Sequence, residues 1–143
     1  MQATFTKEER LKSRKVIQAL FNRQGQSFSQ YPLRLVWMPM EERRSAYAVQ
    51  FAVSVPKRRF KKAVARNRLR RQIRETYRLQ KTHLYKALEE HETQYAFMIL
   101  FVGQEMLPYD QLEKAMQLII RRFLKKVKSN RREPTDNTSQ GSL

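Results

Sequence analysis

The residues best equipped for chemistry in this chain are arginines and lysines, and the chemistry they suit is the capture of phosphate oxygens. From residue 57 to 78 the sequence reads KRRFKKAVARNRLRRQIRETYR. Lys57, Arg58, Arg59, Lys61 and Lys62 lead, Arg66, Arg68, Arg70, Arg71, Arg74 and Arg78 follow, and Glu75 is the single acid. Arginine presents a planar fork of donors that fits phosphate, whereas lysine presents a point charge. Arg66, Arg70, Arg74 and Arg78 recur four apart with like charge. Each such pair costs about 0.2–0.5 kcal/mol in an isolated helix. Solvated helix faces normally mix signs. A face that accepts this repulsion implies a polyanion to neutralise it.

Other chemistry is poorly provided for. The two histidines, His83 and His91, lack the partners and spacing of a zinc site. Glu89, Glu90 and Glu92 beside His91 read as surface charges on a polar segment, not as an acid–base cluster. There is no cysteine, which excludes thiolate metal sites, a disulfide scaffold and a cysteine nucleophile. With three glycines the chain has no glycine-rich phosphate loop, and no nucleophile motif is present. The expectation is binding, with neither a catalytic residue nor a metal ligand on the polypeptide.

The elements that must position the arginines can be read from periodicity. Helix formers run from Ala63, and at about 100° per residue Ala65, Leu69, Ile73, Thr76, Tyr77, Gln80 and Leu84 share one sector, the predicted core stripe. Asn67, Arg70, Arg71, Arg74 and Arg78 fall on the far side, with Arg66 and Arg68 at the edges. Upstream, Ser13 opens a short amphipathic helix over about 13–22, carrying Val16, Ile17, Leu20 and Phe21 and ended near Gly25. On periodicity alone Phe21 is a core anchor. Residues 31–40 and 46–55 alternate as strands, and the charged turn between them predicts an antiparallel hairpin. Tyr47, Val49, Phe51, Val53 and Val55 form the expected core side of the second. Residues 95–102, YAFMILFV, predict a central strand covered on both faces. A last helix over 109–128 has Leu112, Ala115, Met116, Ile119, Ile120, Phe123 and Val127 on its core face and cations at its C-terminal end. This order predicts an α+β sandwich, helices on a mainly antiparallel sheet, in one domain of residues 1–128 followed by a disordered polar tail, 129–143.

Composition agrees with these assignments. At 143 residues, with 41% apolar and 10% aromatic residues, the chain can bury a core. A net charge of +17 suits nucleic acid or an anionic surface. No apolar run reaches the ~18 residues of a membrane span, and no secretion signal is evident, so the expectation is a soluble cytoplasmic protein without a membrane partner.

Ala63, Arg66, Asn67, Arg68, Leu69, Arg70, Arg71, Ile73 and Arg74, following a Val-Ser-Val strand, resemble the signature of the bacterial ribonuclease P protein component. RLKSRKVIQALF, from Arg10 to Phe21, is similar to that family's N-terminal helix, and the resemblance covers roughly 5 to 127. It implies a two-layer α/β sandwich with the motif helix in a left-handed βαβ crossover. It also implies a protein subunit that joins a catalytic RNA and helps it remove the 5′ leader of precursor tRNA. The RNA, with Mg²⁺, would perform the hydrolysis, and no protein partner would be obligatory.

By the same resemblance Arg66, Asn67, Arg68, Arg70, Arg71 and Arg74 face the RNA subunit, with Lys57, Arg58, Arg59, Lys61 and Lys62 in the adjoining basic loop. Phe21, Ile17, Arg34 and Val36 line a cleft for the single-stranded leader. Ile17 departs from the phenylalanine common there and stacks poorly on a base. The alternatives are a structural RNA-binding protein of ribosomal type and a binder of duplex DNA.

Overall fold

The computed structural model describes residues 5–140, without the side chains of residues 23, 24 and 129–140. A helical turn, Lys7–Glu9, precedes α1 (Arg14–Ala19), which continues into a π-helical turn, Leu20–Gln24. Then come β1 (Gln26–Gln30), β2 (Leu33–Pro39), β3 (Val49–Ser54), α2 (Ala63–Ala87), β4 (Tyr95–Phe101) and α3 (Tyr109–Gln140). The tail expected over 129–143 lies outside the residues whose side chains are described.

The four strands are ordered β1-β2-β4-β3. β1–β2 and β2–β4 are antiparallel and β3–β4 is parallel, so β3, α2 and β4 form a crossover unit. β4 is central and almost wholly buried, as its uninterrupted apolar sequence demands. The expected hairpin between residues 31–40 and 46–55 does not form, because β4 lies between β2 and β3. The charged segment that was expected to turn back instead crosses the start of β4. Arg43 holds it there by donating to the carbonyls of Ser45, Ala46 and Glu92 at 2.9–3.0 Å. The buried amide of Gln94 adds bonds to Ser45, Tyr47 and the Arg44 N–H. Residues 46–48 are consumed in this crossing, and β3 starts only at Val49. β1 was not expected, since QSFSQ has one apolar residue and takes its conformation from pairing with β2.

Both faces of the sheet are covered. On one, α2 and α3 pack on Leu35, Trp37, Phe51, Phe97, Ile99 and Phe101. Phe123 of α3 sits edge-on to Trp37, Tyr95 and Phe97, and Tyr77 of α2 stacks on Phe51 at 3.9 Å. On the other, Val16 and Leu20 cover Val36, Ala96 and Met98. Gly25 permits this close crossing: a Cβ there would stand 2.6 Å from the Leu20 carbonyl oxygen and 2.9 Å from Val36. Ser13 caps α1 by accepting from the Val16 N–H at 3.3 Å.

One buried ion pair ties the N-terminal segment to α2. Glu9 is 0% exposed and Lys81 6%, and Lys81 Nζ lies 2.6 Å from Glu9 Oε2. The Tyr85 hydroxyl donates to the same oxygen at 2.7 Å, and the Thr6 N–H to Oε1 at 2.9 Å. Burial alone would raise the Glu9 pKa, but Lys81, Tyr85 and Thr6 together hold it below its ordinary value of 4.5. Burial pushes Tyr85 and Tyr77 up, so both hydroxyls stay protonated.

Lys81→Met leaves that carboxylate buried without its counter-charge and should cost about 3 kcal/mol of unfolding free energy. Combining it with Glu9→Gln should recover more than half. Because the folded pKa of Glu9 is depressed, its contribution is complete above pH 4.5 and is lost as pH falls through the lower folded value. Urea titrations across that range should show this acid loss in the native chain and not in the double variant.

Candidate nucleic-acid interface

Pro56 ends the strand run, and the basic loop that follows is fastened at three points. Phe60 is buried edge-on to Phe101, with ring centroids 5.6 Å apart. Arg59 donates to the Val102 carbonyl at 2.6 Å. Arg66, from the first turns of α2, donates to the carbonyls of Phe60 and Lys61 at 2.6 and 2.9 Å. Two predicted RNA-binding arginines are therefore partly spent on shaping the loop, which leaves Lys57, Arg58, Lys61 and Lys62 exposed. Lys62 begins α2 without a side-chain cap, so the first-turn N–H groups add partial positive charge beside the loop.

On α2 the buried arc is Leu69, Ile73, Thr76, Tyr77, Lys81 and Leu84. It is turned toward Lys81 relative to the predicted stripe, and Ala65 and Gln80 are only half-buried. The missed signal was Glu9, an acid far away in sequence that makes burial of a lysine tolerable. This rotation corrects the expected far side. Arg70 and Arg74 are half-buried on one flank, while Asn67, Arg68 and Arg71 are exposed. Burial, then repulsion from Arg10 and Arg70, pulls the Arg74 pKa below its ordinary value. Arg10, which the sequence reading left out of the site, thus belongs to the same positive cluster.

Among the described residues none of Arg66, Arg68, Arg70, Arg71 and Arg74 is paired with a carboxylate. Arg70 instead donates to Asn67 Oδ1 on the preceding turn. Arg78 differs, because its Nε donates to Glu75 at 2.9 Å. The arginines of the wall present donors only, and the Asn67 amide oxygen among them accepts from Arg70. Among the described residues no three His, Cys, Asp or Glu side chains gather as a metal site.

The candidate cleft lies on the sheet face covered by α1. The register aligns Ser29, Arg34, Leu100 and Ser54 in one row across that face, ending two residues before Pro56 and the basic loop. Arg34 is exposed and donates to Ser27 Oγ at 2.8 Å. Ile17 is half-buried against the α1 core cluster, and Val36 is buried beneath it, a floor residue without an open surface. Phe21 is 51% exposed, so the core-anchor reading from periodicity is wrong. The π-helical turn that carries it changes the helical phase on which that reading depended.

The family model described as Ribonuclease P matches residues 5–124. A ribonuclease P protein component of Porphyromonas gingivalis is 39% identical over 130 residues, which is 90% of this chain and 93% of that one. The protein of a second strain of that organism is 38% identical, covering 87% and 90%. Among solved structures, the ribonuclease P protein of Thermotoga maritima superposes with a TM-score of 0.61 at 17% identity, covering 80% of this chain and 96% of that one. That of Staphylococcus aureus gives 0.59 at 18%, covering 79% and 93%. The two superpositions establish the fold.

The loop anchors are separable from the exposed cations. Arg59→Ala should speed amide hydrogen exchange across residues 57–62, whereas Arg58→Ala should leave it unchanged. Arg68→Ala with Arg71→Ala should move the unfolding free energy by no more than about 0.5 kcal/mol, since both are exposed and unpaired with acids.

Proposed function

Because the chain belongs to the ribonuclease P protein component family, a family of tRNA processing, we propose that it is the accessory subunit that binds the catalytic RNA through α2 and the basic loop and the precursor 5′ leader through the α1 cleft. The observation that carries this reading is the arginine wall of α2, where among the described residues Arg66, Arg68, Arg70, Arg71 and Arg74 have no carboxylate partner. Arg68, Arg70, Arg71 and Arg74, with Lys57, Arg58, Lys61 and Lys62, meet phosphates of the RNA subunit. Asn67 adds a neutral donor and acceptor, while Arg59 and Arg66 shape the surface. The leader crosses the row of Arg34, Leu100 and Ser54, with Phe21 offering its ring to a base and Ile17 a non-stacking wall.

In this reading the RNA subunit holds the Mg²⁺ and performs the hydrolysis. The polypeptide screens backbone charge, so that the two RNAs approach at lower divalent concentration, and it adds affinity that only the leader-bearing substrate can use. The work is done in the cytoplasm, where tRNA precursors are made.

Reconstitution with the RNA subunit should raise cleavage of precursor tRNA most strongly at low Mg²⁺. No stimulation would sink the proposal and leave a structural RNA-binding role. Phe21→Ala should shrink the preference for precursor over mature tRNA by roughly one stacked base, about 1–3 kcal/mol. An equal loss for both RNAs would assign Phe21 to packing alone.

A further inference from the structure

The function above uses α1, α2 and the loop between β3 and α2, and it leaves a second concentration of positive charge unexplained. Arg121, Arg122, Lys125, Lys126 and Lys128 of α3 are all exposed. Among the described residues none is paired with a carboxylate. At helical spacing Arg121, Lys125 and Lys128 form one outward stripe, about 10 Å long at 1.5 Å per residue. Arg121–Lys125 and Arg122–Lys126 are like-charge pairs four apart, which oppose the helix as the α2 ladder does. The helix dipole favours cations only within its last turn. α3 runs to Gln140, so these residues lie well inside it and the dipole does not account for them.

One flank of the stripe is held in place. The Arg122 guanidinium lies over the Phe28 ring at 4.3 Å and donates to the Ser29 carbonyl at 2.7 Å. Lys126 approaches the same ring at 5.9 Å. These contacts fasten the cations to β1, the edge strand farthest from β3. Three strand spacings separate β1 from β3, about 14 Å. α2 packs on β3 and α3 on β1 and β2, so the two positive faces lie toward opposite edges of the sheet.

We infer that the outward face of α3, carried by Arg121, Lys125 and Lys128 with Arg122 and Lys126 on its flank, is a second surface for the phosphate backbone of helical RNA, separate from the α2 wall. The choice of RNA rests on the proposed function, and the geometry adds the site. The side chains are cationic, without an aromatic platform for stacking an unpaired base on the stripe itself. The surface therefore reads backbone charge and shape. The helical segment belongs to the RNA subunit, which in the proposed function already lies on α2, packed beside α3.

The absence of cysteine allows a single tethered iron–EDTA probe on the full chain, placed through Lys125→Cys or Arg68→Cys. Each labelled protein is bound to the RNA subunit, without and with precursor tRNA. The inference expects position 125 to cut RNA at nucleotides different from those cut from position 68. Cuts from position 125 in the RNA subunit uphold the inference, and cuts only in added precursor overturn it in favour of the tRNA body. The triple variant Arg121→Ala/Lys125→Ala/Lys128→Ala should lower the slope of log affinity against log salt by about 2–3 in the arm that is cut. Cutting from 68 with none from 125, or an unchanged slope, overturns the inference and spares the proposed function. Vesicles of anionic lipid that bind the native chain and lose the triple variant, with RNA binding unchanged, would also overturn it. No complex and no cutting from either position would remove the proposed function, and this inference with it.

Discussion

The structure depends on a mechanical bargain within α2: enough apolar burial on one side to hold like charges together on the other. The ladder Arg66, Arg70, Arg74 and Arg78 contains three repulsive pairs, together about 1 kcal/mol. Leu69, Ile73, Tyr77 and Leu84, all fully buried, contribute roughly 1.5–3 kcal/mol each. Burial wins by several-fold, so the helix tolerates a one-signed wall without acids beside it. The Arg78–Glu75 pair relieves only the far end, where it is half-exposed and worth little. A core on this scale needs the sheet beneath it, which makes the arginine wall a property of the whole fold and not of the motif alone.

The two sheet faces divide the labour. The face under α2 and α3 holds one apolar cluster that includes both Phe51 and Phe123 and fixes the wall. The face under α1 is covered by a six-residue helix and one further turn, resting on few apolar side chains. Helices this short have little stability of their own. In the proposed function the stable face supports the broad backbone contact, and the lightly covered one borders the row of Arg34 and Ser54 assigned to the leader. The Glu9–Lys81 pair joins the two by tying the segment that leads into α1 to the C-terminal third of α2.

What the sequence disclosed was whatever repeats locally. α2, α3 and the central strand follow from runs of apolar residues at the helical or strand period, and Leu112 through Val127 all pack as their spacing requires. What it hid was non-local. The order of strands depends on which strand loses most by leaving the middle, and only pairing with β2 makes a strand of QSFSQ. The phase of α2 depends on an acid 72 residues from Lys81, a contact no window can contain. Phe21 was misread because the helix changes pitch beneath it. The arginines themselves were legible because their pattern is odd for a solvated helix, and oddness needs no partner to be seen.

That oddness recurs elsewhere on the surface. The α2 ladder sets like charges against one another, the start of α2 lacks a side-chain cap, Val64 in its first turn is 79% exposed, and the Phe21 ring is half in solvent. Each choice is locally unfavourable, and sequences that fold well usually avoid such conflicts unless function demands them. The buried Glu9–Lys81 pair is the reverse case: a costly desolvation completed by every available partner, Tyr85 and Thr6 included. Among the described residues two buried polar atoms, Trp37 Nε1 and Gln72 Oε1, lack a partner, whereas the charges left without a counter-charge on the arginine wall lie toward the surface. In the proposed function a partner dense in negative charge supplies what the fold withholds, on a loop surface already shaped by Arg66 through the carbonyls of Phe60 and Lys61 and by Arg59 through that of Val102.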